Sequence, residues 1–335
     1  MLSVMAVPNI TTEAPRPRVI LDCDPGHDDA VAIITAAHFA DVRGITTVAG
    51  NAPLVRTTHN ALVMRDLVGL DAPVHSGCAR PLVAPPRDAG FIHGESGLDG
   101  ADLPAPVTAL DGTDAVEFII ETCRGEEGLW LIPTGPLTNI GLAFRQAPDL
   151  PHRLAGVSIM GGGSFGNRSA AAEYNIWCDP EAAAIVFDAF DPASGSTAAG
   201  LLVMAGLDVT HQFQVTPERI EQTRQVPGHL AEVLTGLFEF FSNTYIGRHD
   251  DGALRGAALH DPLAVLAVTH PDLFERNRRH VAIETRGEHT AGMTVIDERH
   301  LLERATPNCD VLVGVDADAA FALIVDAITA ARPRI

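Results

Sequence analysis

The chain contains no lysine; all 23 of its basic residues are arginine. That absence removes the Walker A phosphate loop, lysine Schiff bases and lysine general bases. Cysteine is sparse too, five in 335 residues with no Cys-x-x-Cys pair, which fits a reducing compartment better than a disulfide framework. No apolar run reaches the ~20 residues of a membrane span. The first residues lack a basic start and a clean apolar stretch, and Pro8 interrupts them, so no secretory leader is expected. Positive charge is short overall, 23 residues against 43 acidic ones, a net of −20. Such a balance repels nucleic-acid backbones and anionic membranes and suits a protein that collects cations.

Apolar residues make up 46% of the chain and charged residues 20%, a composition that buries a large core and excludes wholesale disorder. From Arg18 onward short apolar runs alternate with helical periodicity. Strands are predicted at Val19–Leu21, Ile45–Val48, Leu129–Ile132, Val157–Met160 and Leu201–Met204. Helices are predicted at Asp28–Phe39, Leu54–Val68, Asp114–Cys123, Leu137–Phe144 and Glu181–Phe187. Later, Val281–Thr285, Met293–Ile296 and Val311–Val315 read as extended and Ala317–Ala330 as a last helix. The alternation predicts a single α/β domain over residues 18–335, with a mainly parallel Rossmann-like sheet flanked by helices, after a flexible tail over residues 1–17. In such sheets ligands bind beyond the C-terminal ends of the strands. Polar signals crowd those positions: Asp22-Cys23-Asp24-Pro25-Gly26-His27-Asp28-Asp29, Ala49-Gly50-Asn51, Pro133-Thr134-Gly135 and Gly161-Gly162-Gly163. The active site is expected along that edge.

Asp22, Asp24, Asp28 and Asp29 place four carboxylates within eight residues. Like charges so close raise one another's pKa unless a cation neutralises them. An oxygen-only set suits a hard ion such as Ca²⁺ or Mg²⁺. Helix capping accounts for Asp28 or Asp29 but not for Asp22 and Asp24, which end a buried strand. An EF-hand loop starting at Asp22 fails, because Ile33 stands at its twelfth position. A phosphohydrolase of the haloacid-dehalogenase type also begins strand-DxD with Mg²⁺; the missing lysine counts against it and leaves it an alternative.

A second constellation, Leu259-His260-Asp261-Pro262, joins a helix-start dipeptide to a histidine suited to proton transfer near neutrality. On these residues alone, capping and chemistry stand level. At Asp179-Pro180, before an alanine-rich helix, capping is the better reading. The GxGxxG match at Gly161, Gly163 and Gly166 lacks the helix opening that a dinucleotide site requires, so its glycines are read as room for a small ligand. Asn167, Glu173 and Asn175 follow, a set suited to hydroxyl groups.

The stretches DCDPGHDDAVAI, VAGN, IHGESG, LIPTGPLTNI, MGGG with AEYNI, and LHDPLAV run in this order from Arg18 toward the last helix. Together they resemble the nucleoside hydrolases of the inosine–uridine-preferring type. The resemblance implies hydrolysis of the N-glycosidic bond of ribonucleosides to free base and ribose, with Ca²⁺ as cofactor and an oxocarbenium-like transition state. By the same resemblance, Asp24, Asp29, the Thr134 carbonyl and Asp261 match calcium ligands, and Asp24 matches the general base toward the metal-bound water. Asp28, Asn51, Asn167, Glu173 and Asn175 match ribose-binding positions, with Met160 beside them, and Asp22 is similar to a supporting acid behind the ligands. His260 matches a histidine implicated in protonating the leaving base, and His93 one near the base pocket. In the aromatic segment Phe238, Phe240, Phe241 and Tyr245, Tyr245 keeps a tyrosine of the relatives and Phe241 replaces another; the phenylalanines are expected mainly in the core. The implied partner is a small-molecule ribonucleoside, not a nucleic acid polymer or a membrane, bound by a cytoplasmic homodimer or homotetramer. A non-catalytic nucleoside- or ribose-binding protein is the other alternative.

Overall fold

Val19, Ile20 and Leu21 are apolar at successive positions, a pattern that buries fully only in a strand covered on both faces. In the computed structural model, which describes residues 15–87, 89–198, 200–246, 255–300 and 304–335, they lie in β1 (Arg18–Cys23) inside an eight-stranded sheet. The other strands are β2 (Asp41–Thr47), β3 (Val74–Ser76), β4 (Trp130–Pro133), β5 (Gly156–Met160), β6 (Leu201–Ala205), β7 (Phe274–Arg279) and β8 (Cys309–Val315). Their order is β3-β2-β1-β4-β5-β6-β8-β7, and neighbours run parallel except β7, which is antiparallel to β8.

The helices that matter below are α1 (His27–Phe39), α2 (Leu54–Val68), α3 (Ala115–Gly125), α4 (Thr138–Gln146), α5 (Tyr174–Cys178), α6 (Pro180–Asp188), α7 (His229–Ile246), α8 (Pro262–Thr269) and α9 (Ala317–Ala330). Alternate side chains of β1 feed two cores. Val19 and Leu21 join α1, α2, α7, α8 and α9 in one, while Ile20 joins α3, α4 and α6 in the other. The chain steps outward through β1, β2 and β3, then returns to the other side of β1 with β4. That reversal opens a crevice at the C-terminal ends of β1 and β4. The register sets Asp22 level with Thr46 and Pro133, so Asp24 and Thr134 emerge together there.

The predicted α/β alternation is present, with element ends moved by a few residues. Three features go beyond that pattern. β7 reads Phe-Glu-Arg-Asn-Arg-Arg, without apolar periodicity, because it is an edge strand whose charges discourage further pairing. The extended segments predicted at 281–285 and 293–296 stay out of the main sheet and pair as a separate antiparallel ribbon, Val281–Ile283 with Thr294–Ile296. The aromatic segment forms the second half of α7, whose buried Leu230, Leu234, Leu237, Phe238, Phe241 and Tyr245 follow helical spacing. Of the predicted tail, residues 1–14 lie outside the described residues. Among the described residues no helix is long and apolar enough to cross a membrane.

Candidate active site

The acidic run at the end of β1 folds into a buried cluster. Asp22, Asp24 and Asp29 have no solvent exposure and Asp28 retains 6%. Asp22 faces inward, its Oδ1 accepting from Thr46 Oγ1 at 2.6 Å and Asn139 Nδ2 at 2.8 Å. Burial pushes its carboxyl up to about 7. Asp24 accepts the Asn51 backbone N–H on Oδ2 at 2.6 Å, while its Oδ1 is buried with no hydrogen-bond partner. Asp29 accepts the Gly26 N–H and Asn51 Nδ2 on Oδ2, at 3.0 and 3.1 Å, and Thr134 Oγ1 alone on Oδ1, at 2.8 Å. Gly50 and Gly135 allow this packing: a Cβ on either would lie 2.1 or 2.4 Å from an Asp24 carboxylate oxygen. Burial, then the neighbouring Asp29 charge, drives Asp24 far above the usual carboxylate range and Asp28 up to about 8.

The two Asp-Pro helix starts diverge. Asp179 caps α6 through the Ala182 N–H at 3.1 Å and also holds Thr138 Oγ1 and the Leu82 N–H. Asp261 precedes α8 without capping it, so its carboxylate is available to the cluster. Carboxylate oxygens of Asp28, Asp29 and Asp261 lie within 4.8 Å of one another. Burial and the charges of Asp28, Asp29 and Asp24 raise Asp261 well above its ordinary value. Among the described residues no arginine pairs with any of these acids. The clustered carboxylates of Asp28, Asp29 and Asp261, with partnerless oxygens on Asp28 and on the neighbouring Asp24, are an all-oxygen donor set that a divalent cation fits. The acids that meet most closely include Asp28 in place of Asp24, a grouping that the spacing of the residues did not indicate.

Above the acids lies a cavity of about 280 Å³. Asp28, Asn51, His93, Thr134, Met160 and Asn167 line it, as do Glu173, Asn175, Tyr245, His260 and Asp261, whereas Asp22, Asp24 and Asp29 sit behind its wall. Asn175 Nδ2 reaches the Thr134 carbonyl at 2.7 Å and the Met160 carbonyl at 3.1 Å, tying β4 to β5. Glu173 caps α5: its carboxylate accepts from the backbone of Gly162, Asn175 and Ile176 at 2.9–3.1 Å. Gly162 takes a left-handed φ of 76°, which brings its N–H to that carboxylate. Asn167 stands exposed at the cavity mouth.

The opposite wall is aromatic. His260 lines it beside Tyr245, with its Nδ1 2.7 Å from Thr210 Oγ1. Phe241 lines the cavity while remaining 1% exposed, so it serves core and site at once; Phe238 is core alone, and Phe240 packs over His27. His93 is buried and its Nδ1 lies 3.1 Å from Nδ1 of His27. Burial lowers His27 to about 4 and holds His93 well below the usual imidazole value. The sequence offered no role for His27, Arg168 or Tyr174. Tyr174 Oη clamps the Gly50 carbonyl at 2.8 Å, and Arg168 lies at the mouth over Trp177. A histidine inside the aspartate motif was the available signal for the first.

This geometry has close relatives. Residues 19–322 match the family described as inosine-uridine preferring nucleoside hydrolase. The pyrimidine-specific ribonucleoside hydrolase RihA of Escherichia coli strain SMS-3-5 is 40% identical over 313 residues, covering 92% of this chain and 97% of its own. Among solved structures, the purine-preferring ribonucleoside hydrolase from Gardnerella vaginalis superposes with a TM-score of 0.83 at 30% identity, over 93% of this chain and 98% of the other. An inosine-guanosine nucleoside hydrolase gives 0.80 at 27% identity, over 93% and 99%. The chain belongs to the inosine-uridine preferring nucleoside hydrolase family and is a ribonucleoside hydrolase.

Proposed function

We propose that the protein hydrolyses pyrimidine ribonucleosides to free base and ribose with a Ca²⁺ ion held by Asp24, Asp29, the Thr134 carbonyl and Asp261. The observation that carries this reading is an Asp261 carboxylate that caps nothing, lining a cavity sized for a small molecule, with the partnerless Asp24 Oδ1 in the buried acid cluster behind that wall. When bound, the ion would acidify a water molecule and help to position ribose hydroxyls. Asp24 is the general base: Asn51 fixes its Oδ2, and its Oδ1 takes the proton of the attacking water. Asp22, held by Thr46 and Asn139, supports the strand end behind it.

Asp28, Asn51, Asn167, Glu173 and Asn175 bind the ribose, beside Met160. The buried carboxylates favour the positive charge that develops on the sugar as the bond to the base breaks. His260, oriented by Thr210, is the candidate acid for the leaving base, with His93 and Tyr245 around the ring. The pyrimidine preference rests on the likeness to RihA, which outweighs in identity the likeness to the purine-acting structures. The same reading takes the working form as a cytoplasmic homodimer or homotetramer.

Free-ribose release from uridine, cytidine, inosine, adenosine and guanosine tests it. The expected result is release from all or some of the five with uridine or cytidine first. Release fastest from inosine or guanosine would overturn the base preference, and release from none would overturn the assigned reaction.

A further inference from the structure

The antiparallel ribbon of Val281–Ile283 with Thr294–Ile296 stands apart from the main sheet and contributes no residue to the cavity wall. Its second strand inverts the usual pattern: Thr294 is 2% exposed, while Val295 beside it is 45% exposed. The partners of Thr294 account for the inversion. Its Oγ1 accepts the Gly163 N–H at 2.9 Å and donates to the Gly163 carbonyl at 2.6 Å, so one hydroxyl satisfies both backbone groups of one residue. Its methyl packs against Gly162, where a Cβ would lie 2.6 Å from Thr294 Cγ2. The residues on either side of Gly163 are pinned from the end of β6 instead. The Leu207 N–H holds the Gly162 carbonyl at 2.9 Å, and Asp208 accepts the Ser164 N–H at 2.8 Å. The ribbon also reaches the far end of the same loop, since a Cβ on Gly292 would lie 2.9 Å from Trp177 Cα and 3.1 Å from Ala172 Cβ. Between these two contacts the loop carries Asn167 and Glu173. The N–H of Gly162 donates to the Glu173 carboxylate at 3.0 Å, and Glu173 lines the cavity.

We propose that Thr294 is a positioning residue for ribose binding: through its hydroxyl the ribbon braces the Gly162–Gly163 turn and so holds the Glu173 carboxylate where the sugar hydroxyls meet it. The inference rests on the reading that Glu173 binds the ribose and adds to it the element that keeps Glu173 in place. Gly162 and Gly163 have φ values of 76° and 150°, a backbone open to glycine and with no side chain of its own to fix it. Such a turn loses much conformational freedom when it is ordered. A brace that orders it beforehand removes that cost from substrate binding. Packing alone would be served as well by valine, which has the shape of threonine. Valine would leave the N–H and carbonyl of Gly163 without the hydroxyl that joins them. Thr294 stays outside the cavity, so it acts through the turn and not by touching the sugar.

Two measurements test the brace, both on the full-length, metal-loaded protein and well below the melting temperature of every variant. In the first, Thr294→Val should raise KM for uridine about ten-fold with a much smaller change in kcat, and Thr294→Ser, which keeps the hydroxyl, should restore KM. Combined with Glu173→Gln, Thr294→Val should add little to the KM of Glu173→Gln alone, because both act on one carboxylate. A Thr294→Val variant that melts earlier but keeps the wild-type KM would overturn the proposal, as would KM effects that multiply in the double variant. The second measurement is hydrogen exchange resolved to single amides, which needs no turnover. The Gly162 and Gly163 amides should exchange about ten-fold faster in Thr294→Val, with those of β1 and β4 unchanged. Equal exchange at the two glycines would also overturn the proposal. Should Thr294→Val fail to fold, the wild type still decides, since a Gly163 amide exchanging as fast as that of exposed Asn167 rules out a brace. Failure of the wild type to cleave any nucleoside would overturn the ribonucleoside reading instead and leave the exchange result to decide the brace.

Discussion

Asp24→Asn is expected to lower kcat for ribose release by roughly 10³- to 10⁴-fold, the scale of losing both the general base and the metal ligand that Asp24 is proposed to be. The amide matches the carboxylate in shape, so the Asn51 contact and the packing of Gly50 and Gly135 around the side chain are largely preserved. Stability should respond oppositely with and without metal. In the metal-free protein the substitution removes one of several mutually repelling buried acids, so Tm is unchanged or higher. With Ca²⁺ present, the variant should lose most of the metal-dependent rise in Tm that the wild type shows. Melting curves in chelator and in excess Ca²⁺, beside a ribose assay, check all three outcomes. Near-normal turnover would remove Asp24 from the mechanism.

Glu173→Ala is expected to destabilise the protein by about 3 kcal/mol, an effect that ribose binding alone would not produce. Three backbone N–H groups, from Gly162, Asn175 and Ile176, converge on this one buried carboxylate. Removing it leaves those donors unpaired, uncaps α5 and releases the Gly162 turn from the cavity wall. Glu173→Gln retains an acceptor oxygen and should cost less than half as much. Urea unfolding of the two variants measures the difference. Equal stability of Glu173→Ala and wild type would show that the carboxylate serves substrate rather than structure.

Much of this site was legible because its chemistry is concentrated in a short run. Asp22, Asp24, Asp28 and Asp29 cannot all be explained as caps, and strand order places the ends of β1 and β4 together once the α/β alternation is recognised. Asp261 was harder. Its Asp-Pro step is the same as that of Asp179, and only the fold shows one carboxylate spent on the Ala182 N–H and the other spared. The reach of Glu173 back to Gly162 was not readable, since it depends on a left-handed turn eleven residues upstream. Nor was the placement of His27 beside His93, which are 66 residues apart and meet only when the Gly90–His93 turn folds over the start of α1. β7 escaped notice for a different reason: an edge strand needs no apolar face on its outer side, so its arginines hid it.

The most direct test of the central claim is ribose release from uridine and cytidine by the same preparation as purified, after stripping with a calcium chelator, and after Ca²⁺ is returned. The acid cluster predicts that stripping abolishes release and lowers Tm, and that Ca²⁺ restores both. Undiminished release from thoroughly stripped protein would contradict the account, because the buried acids would then have to work without the cation that they are proposed to hold.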